Sequence, residues 1–330
     1  RPAIRDLIGG RIELHLADPL DSLIDRKAQE RVPALPGRGL TPDGESMLIA
    51  VSSGEDIQHV LELTADAPPV PRLRLMPTSL ESSDLPAPTA APGGHLTLPL
   101  GIGGARLTPV SWHSATSQHL LALGTRGCGK TSLLELVGQS LAQVGREAAR
   151  MVVIDSRRSL LGAFAPEMLA GYAATTDAMR ELVDKLAVTL ASRMPAADIS
   201  PQALRERSWW SGPELFLLVD DCHLVDDQIF HPLTPYLPHA RDVGLHVVLT
   251  RKSGSFSRAL YTPLIGGLMD AQPDILIYSA DPADGPIAGV KTAVAAPGRA
   301  QLVRESARVG PIHVARPLPP SAHEEKQGNP

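Results

Sequence analysis

Gly124-Thr-Arg-Gly-Cys-Gly-Lys-Thr131 decides the fold of this chain. It fits the pattern GxxxxGK[ST], comes directly after the short apolar run His119–Leu123 and opens a helical stretch from Thr131 to Val144. A strand, a glycine-rich turn and a helix in that order form a phosphate-binding loop. Glycines let backbone N–H groups converge on an anion, and the helix N-terminus adds positive potential. The loop residues Gly124, Thr125, Arg126, Gly127, Cys128, Gly129, Lys130, Thr131 and the adjoining Ser132 are therefore the expected nucleotide contacts. Lys130 is expected at the β- and γ-phosphates and Thr131 on Mg²⁺, which makes ATP and Mg²⁺ the expected cofactors.

Downstream, Leu215–Asp221 reads LFLLVDD, an apolar strand ending in two carboxylates. Such a strand carries Asp220 to the carboxyl edge of a sheet, beside the loop, where it can hold the Mg²⁺ shell. Asp221 falls where a catalytic carboxylate would orient the attacking water. A strand at Met151–Ile154 lies between the two motifs and implies a strand inserted between the loop strand and the Asp220 strand, the mark of the RecA-like branch. Thr250, ending LHVVLT, is a candidate γ-phosphate sensor or an ordinary strand-end threonine. Arg241 and Arg251 are candidates for a charge that reaches a neighbouring subunit's nucleotide. Asp155 either orients site water or caps the next helix. Trp209 and Trp210 read as packing anchors rather than an adenine clamp. Cys128 and Cys222 read as small buried fillers rather than redox switches.

Working outward, further apolar runs at Leu245–Leu249 and Ile275–Tyr278 alternate with helical stretches at Thr176–Met194, Gln228–Leu237 and Ser257–Leu268. Short apolar strands between helices are what a parallel sheet covered on both faces requires. The expected fold is α/β, a three-layer P-loop NTPase of the RecA/FtsK-like kind with a mostly parallel central sheet. Before the loop, residues 66–94 carry seven prolines and read as an extended connector, with Arg72–Met76 a possible edge strand.

The N-terminal unit is explained by an internal repeat. Ala17-Asp-Pro-Leu-Asp-Ser-Leu-Ile24 matches Ala280-Asp-Pro-Ala-Asp-Gly-Pro-Ile287, each after a β-like run. Pro-Gly-Arg comes at Pro36 and Pro297, 19 and 17 residues beyond each alanine. Strands are expected at Arg11–Leu16 and Met47–Val51 and a helix at Ser22–Arg31. Residues 1–65 then read as the C-terminal tail of a preceding copy of the same domain, 95–318 as the complete copy and 319–330 as a disordered tail.

The chain has 330 residues and a net charge of −5, with Lys and Arg scattered rather than striped, which argues against nucleic acid as the partner. No stretch reaches the 18 or so apolar residues of a membrane helix, and no leader is visible. Two cysteines cannot build a disulfide framework and point to a reducing cytosol. The eleven histidines show no HExxH spacing, so zinc is not expected.

GTRGCGKT, the stretch Trp209–Asp221 (WWSGPELFLLVDD), Ala240–Gly254 (ARDVGLHVVLTRKSG) and Pro36–Leu40 (PGRGL) together resemble EccC, the FtsK/SpoIIIE-like ATPase family of type VII (ESX) secretion. The resemblance covers most of the chain. It implies the last of three tandem ATPase domains plus the tail of the second. It further implies other EccC ATPase domains or subunits as partners, docking of the C-terminal tails of small helical WXG100/Esx substrates, and a cytoplasmic place within a secretion complex at the inner membrane. Two positions depart from the family. Asp221 stands where active FtsK-type motors have Glu, which implies slow hydrolysis, and Cys222 stands where last domains more often have an aromatic. A DNA translocase of FtsK type and a nucleotide-stabilised docking platform without turnover are the competing functions.

Overall fold

A computed structural model describes residues 10–68, 74–91, 93–305 and 307–319. By contacts the chain divides into two compact units, Arg1–Arg72 and Leu73–Pro330.

The first unit holds a small antiparallel sheet of β1 (Glu13–Leu14), β2 (Arg38–Leu40) and β3 (Ser46–Leu48), in that order. It also holds helices α1 (Arg26–Gln29) and α2 (Gly54–Leu63). The buried Glu13 carboxylate accepts from the Ser22 hydroxyl at 2.7 Å and the Leu23 N–H at 2.7 Å, fixing the turn between β1 and α1. The repeat seen in the sequence is also a repeat of local structure. Pro19–Asp21 and Pro282–Asp284 both form a 3-10 turn. Each turn is capped by the aspartate before it, Asp18 and Asp281, accepting at 2.9 Å. Gly37 and Gly298 both sit at positive φ, 77° and 78°, just before a strand.

The second unit is built on one sheet. Six of its strands run parallel, side by side in the order β12 (Asp274–Ile277), β7 (His119–Leu123), β11 (Leu245–Arg251), β10 (Glu214–Asp220), β8 (Ala149–Asp155) and β9 (Leu169–Ala173). Beyond β12 the sheet continues antiparallel through β13 (Arg299–Arg304), β14 (Ala307–Val314) and β5 (Leu96–Gly103). Both β4 (Thr89–Ala90) and β6 (Thr108–His113) then pair with β5.

Strand residues point alternately to opposite faces, and the core divides accordingly. Leu217, Val219, Val247, Leu249, Leu121 and Leu123 pack with Val183 and Leu190 of the helix Thr176–Ser192. Phe216, Leu218, Val248, Leu120 and Ala122 pack on the other face with Leu133, Val137 and Leu141 of the helix Lys130–Val144. Helices on both faces of a sheet make the three expected layers.

The sheet order corrects one expectation. A strand does separate the loop strand β7 from the Asp220 strand β10, but it is β11, not the Met151–Ile154 strand. β8 lies on the far side of β10. Position along the chain does not give position in the sheet, because a crossover connection can place a later strand on either side of an earlier one.

Two helical expectations also change. Gln228–Leu237 lies within a 3-10 helix, Asp227–His239, with prolines at 232, 235 and 238. Three residues per turn put those prolines on one face, where their missing N–H groups cost least. Ser257–Leu268 is divided into Phe256–Ala259 and Pro263–Asp270, because Pro263 starts a helix and cannot continue one.

Residues 74–91, read as part of the connector, pack on the second unit. Thr89–Ala90 adds an edge strand to β5, and Glu81 bridges to Arg316. Residues 74–76 form no strand, and the remainder of the expected edge strand, Arg72 and Leu73, lies outside the described residues. The expected tail lies outside them from residue 320 onward.

Candidate functional site

The carboxyl ends of β7, β10 and β8 meet at a cavity of about 840 Å³. Arg126, Gly127, Gly129, Lys130, Thr131 and Ser132 line it from the loop. Gly129 adopts φ 111°, a conformation that L side chains rarely take, and this aims the first turn of the adjoining helix at the cavity. The first backbone N–H of that helix to bond back along the chain is that of Leu133, to the Gly129 carbonyl at 3.0 Å, so the N–H groups before it are those a helix leaves for an anion.

Gly124, Thr125 and Cys128 do not line the cavity. Thr125 anchors the loop instead, donating both its N–H (2.7 Å) and its hydroxyl (3.1 Å) to the Ser279 carbonyl. Cys128 is buried against Gly124 and Tyr278, and burial raises its thiol pKa. Burial pushes Cys222 up to about 12. Both are fillers with suppressed thiolate character.

Lys130 is buried, and its Nζ donates to the carbonyls of Gly124 at 3.2 Å and Thr125 at 2.9 Å. It lies 3.9 Å from Asp221. Asp220 accepts from the Thr131 hydroxyl at 3.0 Å and from the Thr250 hydroxyl at 2.7 Å. Thr250 in turn accepts from the Asp221 N–H at 2.7 Å. One threonine on the inserted strand therefore fixes both carboxylate residues. Asp221 sits in the left-handed region at φ 46° and pairs with Arg157 at 3.1 Å.

Asp220 has the character of a cation ligand. It is buried, and among the described residues it forms no ion pair. Burial raises its pKa, the nearby Asp221 and Asp155 raise it further, and the two hydroxyls only partly oppose this. A buried carboxylate short of positive charge, next to a threonine hydroxyl, suits a hard divalent cation with oxygen ligands.

The raised pKa gives a signed prediction. Asp220 holds its proton more tightly folded than unfolded, so its contribution favours folding at low pH and is lost as pH rises through the folded pKa. At pH 7 without nucleotide, Asp220→Asn is expected to raise stability by about 0.5–2 kcal/mol, the usual size of a single stabilising substitution, because it removes a buried charge. The gain should fade toward about pH 4. Urea melts at both pH values check it.

Arg157, Lys252, His313, Arg316 and Thr78 also line the cavity and were not singled out by the sequence. Arg157 carried a weak signal, since it lies two residues past Asp155, which is in register with Asp220. His313 and Arg316 carried none, because they arrive through the antiparallel extension. Arg241 and Arg251 do not line their own chain's cavity. Arg241 is exposed, and Arg251 lies against Cys222 at 3.9 Å.

Asp155 is buried and accepts from the Leu160 N–H (2.7 Å) and the Tyr172 hydroxyl (3.0 Å), so it ties down the loop after β8. Trp209 and Trp210 are packing anchors, donating to the carbonyls of Arg193 (2.7 Å) and Asp242 (2.8 Å). The Arg193 guanidinium lies 4.1 Å over the Trp210 ring. Among the described residues no cluster of three metal-ligating side chains occurs and no helix is long and apolar enough to cross a membrane.

No protein-family model matches the chain. The ESX-4 secretion system protein EccC4 of Mycobacterium tuberculosis is 37% identical over 327 residues, covering 97% of this chain and 26% of that protein. The cytoplasmic domain of the Thermomonospora curvata type VII secretion ATPase EccC superposes with a TM-score of 0.74 at 35% identity, covering 97% of this chain and 39% of that one. T. curvata EccC (ATPases 2 and 3), solved in complex with a signal sequence peptide, gives a TM-score of 0.73 at 35% identity, covering 97% and 60%. The chain thus spans about a quarter of the length of the curated relative. With a phosphate loop, an Asp-Asp strand end and an inserted threonine strand on a shared fold, the chain belongs to the EccC family of type VII secretion ATPases.

Proposed function

We propose that residues 95–318 are an ATP-binding motor domain of a type VII secretion ATPase, coupling nucleotide state and substrate-tail docking to protein export. The observation that carries this reading is the set Lys130, Thr131, Asp220 and Thr250, held by hydrogen bonds at the carboxyl edge of a parallel sheet. In this reading Lys130 and the N–H groups of Gly127–Ser132 bind the phosphates. Thr131 and Asp220 hold Mg²⁺, which neutralises phosphate charge when bound. Asp221 orients water, and Thr250 positions both aspartates. Five cationic side chains line the cavity, Arg126, Lys130, Arg157, Lys252 and Arg316, against two carboxylates, which suits a polyanion.

Residues 1–65 are the end of a preceding ATPase domain in this reading, supported by the shared 3-10 turn and glycine-to-strand step. The partners are other EccC ATPase domains and the tails of Esx/WXG100 substrates; the signal-peptide complex of the T. curvata protein supports the latter. The place of action is the cytoplasmic side of a membrane secretion complex.

Calorimetric titration of the chain with Mg·ATP tests the reading. One ATP per chain is expected, because residues 1–65 contain no GK[ST] sequence. No binding sinks the motor assignment, and two sites per chain sink the tail assignment.

A further inference from the structure

The carboxylate of Asp221 lies between two cations that reach it from opposite sides of β10. Lys130, at the start of the loop helix, brings its Nζ to 3.9 Å from Oδ1. Arg157, in the turn after β8, brings its Nε to 3.1 Å from Oδ2.

The turn that carries Arg157 is fixed, while its side chain is not. The Arg158 N–H closes the turn on the Asp155 carbonyl at 3.2 Å, and the Asp155 carboxylate holds the Leu160 N–H at 2.7 Å. The Arg157 side chain is half-exposed and, among the described residues, forms its ion pair with Asp221 alone. An ion pair so open to water is weakly held. Lys130 differs on both counts, being buried and bonded through Nζ to the Gly124 and Thr125 carbonyls.

Lys130, Arg157 and Asp221 line the same cavity. With a triphosphate in the loop, Lys130 reaches the β- and γ-phosphates. The γ-phosphate then lies beside Asp221, within reach of Arg157 by rotation of that side chain alone. It is also the stronger partner. A terminal phosphate offers three oxygens and more negative charge than a carboxylate, and its geometry suits the planar guanidinium fork.

We propose that Arg157 is a γ-phosphate ligand that waits on Asp221 while the site is empty. A nucleoside triphosphate draws it onto the γ-phosphate and releases Asp221 to orient the water. A diphosphate ends at the β-phosphate, among the N–H groups of the loop, and leaves the pair intact. Arg157 thereby makes the chain tell ATP from ADP. The proposal rests on the nucleotide-binding reading above.

The test is calorimetry on the whole chain with Mg·ADP and the Mg²⁺ salt of the β,γ-imido analogue of ATP, which is not hydrolysed. Arg157→Gln is expected to weaken the analogue about tenfold and to change ADP by less than about twofold, because a charge-assisted bond to phosphate replaces an exposed ion pair. In an Asp221→Asn background nothing competes for the guanidinium, and the same substitution should cost the analogue about thirtyfold. Arg157→Lys keeps the charge without the fork. It should lose about threefold for the analogue and leave ADP unchanged, and it carries the comparison if Arg157→Gln does not fold. No loss for the analogue, or an equal loss for the analogue and ADP, overturns the proposal. So does an equal loss in the two backgrounds, because Arg157 then never leaves Asp221. Failure of the native chain to bind either nucleotide overturns the nucleotide reading itself, and the role of Arg157 with it.

Discussion

Lys130→Ala is expected to weaken ATP binding by about ten- to a hundredfold while the chain stays folded. A hydrogen bond to a charged group is worth about 1.5–3 kcal/mol, and each 1.4 kcal/mol is a factor of ten. The loss also reaches the loop itself. Read from sequence, Lys130 gives charge to phosphate and nothing to the core. In the structure it is buried and braces the loop through the Gly124 and Thr125 carbonyls. Its removal therefore releases the loop as well as the charge, and a stability cost of about 1 kcal/mol is expected alongside. Calorimetry and a urea melt on the same variant separate the two effects. Unchanged ATP affinity would sink the site assignment.

Slow turnover is the second expectation, below about 1 s⁻¹ for the dilute chain, under the ordinary enzyme range. An arginine finger is worth about 10³–10⁵ in rate. Neither Arg241 nor Arg251 lines the cavity of its own chain, so either could supply such a charge only to a neighbour's nucleotide. The second cause is Asp221. Its side chain is one methylene shorter than Glu, and misplacement by about 1 Å can cost about 10²-fold. The structure adds that Asp221 is held at φ 46° and tied to Arg157 at 3.1 Å. Asp tolerates the left-handed region better than Glu does, so Asp221→Glu gains reach and loses backbone ease. The rate gain from Glu is therefore expected to be smaller than the gain from raising concentration. Steady-state rates of both chains, dilute and concentrated, decide this. If the rate climbs with concentration, Arg241→Ala and Arg251→Ala at high concentration identify the finger. A rate that rises only with Glu makes the carboxylate the main defect. Fast turnover by the dilute native chain refutes both arguments, and slow turnover under every condition favours a docking platform over a motor.

The phosphate loop was legible because its chemistry is local. Gly129, Lys130 and Thr131 act within one turn of chain, so their spacing alone carries the meaning. The same holds for β7 and β10, whose residues are all buried and whose apolar runs have no other use. The repeat was legible too, because a capped 3-10 turn is decided by a few adjacent residues. Tertiary structure decided which strand separates β7 from β10, since sheet order depends on crossovers that leave no mark on the strands themselves. It decided that Thr250 grips both aspartates, because the bonds join residues on neighbouring strands that are far apart along the chain. It also brought His313 and Arg316 beside the loop, although both lie far beyond Lys130 in sequence. The residues bonded to that side of the sheet, Met76 to Ser82, lie before the loop in a stretch whose prolines spell only extension. A motif states what a few neighbouring residues can bind. What surrounds the rest of the ligand is set by strands that meet only when the sheet closes its antiparallel side.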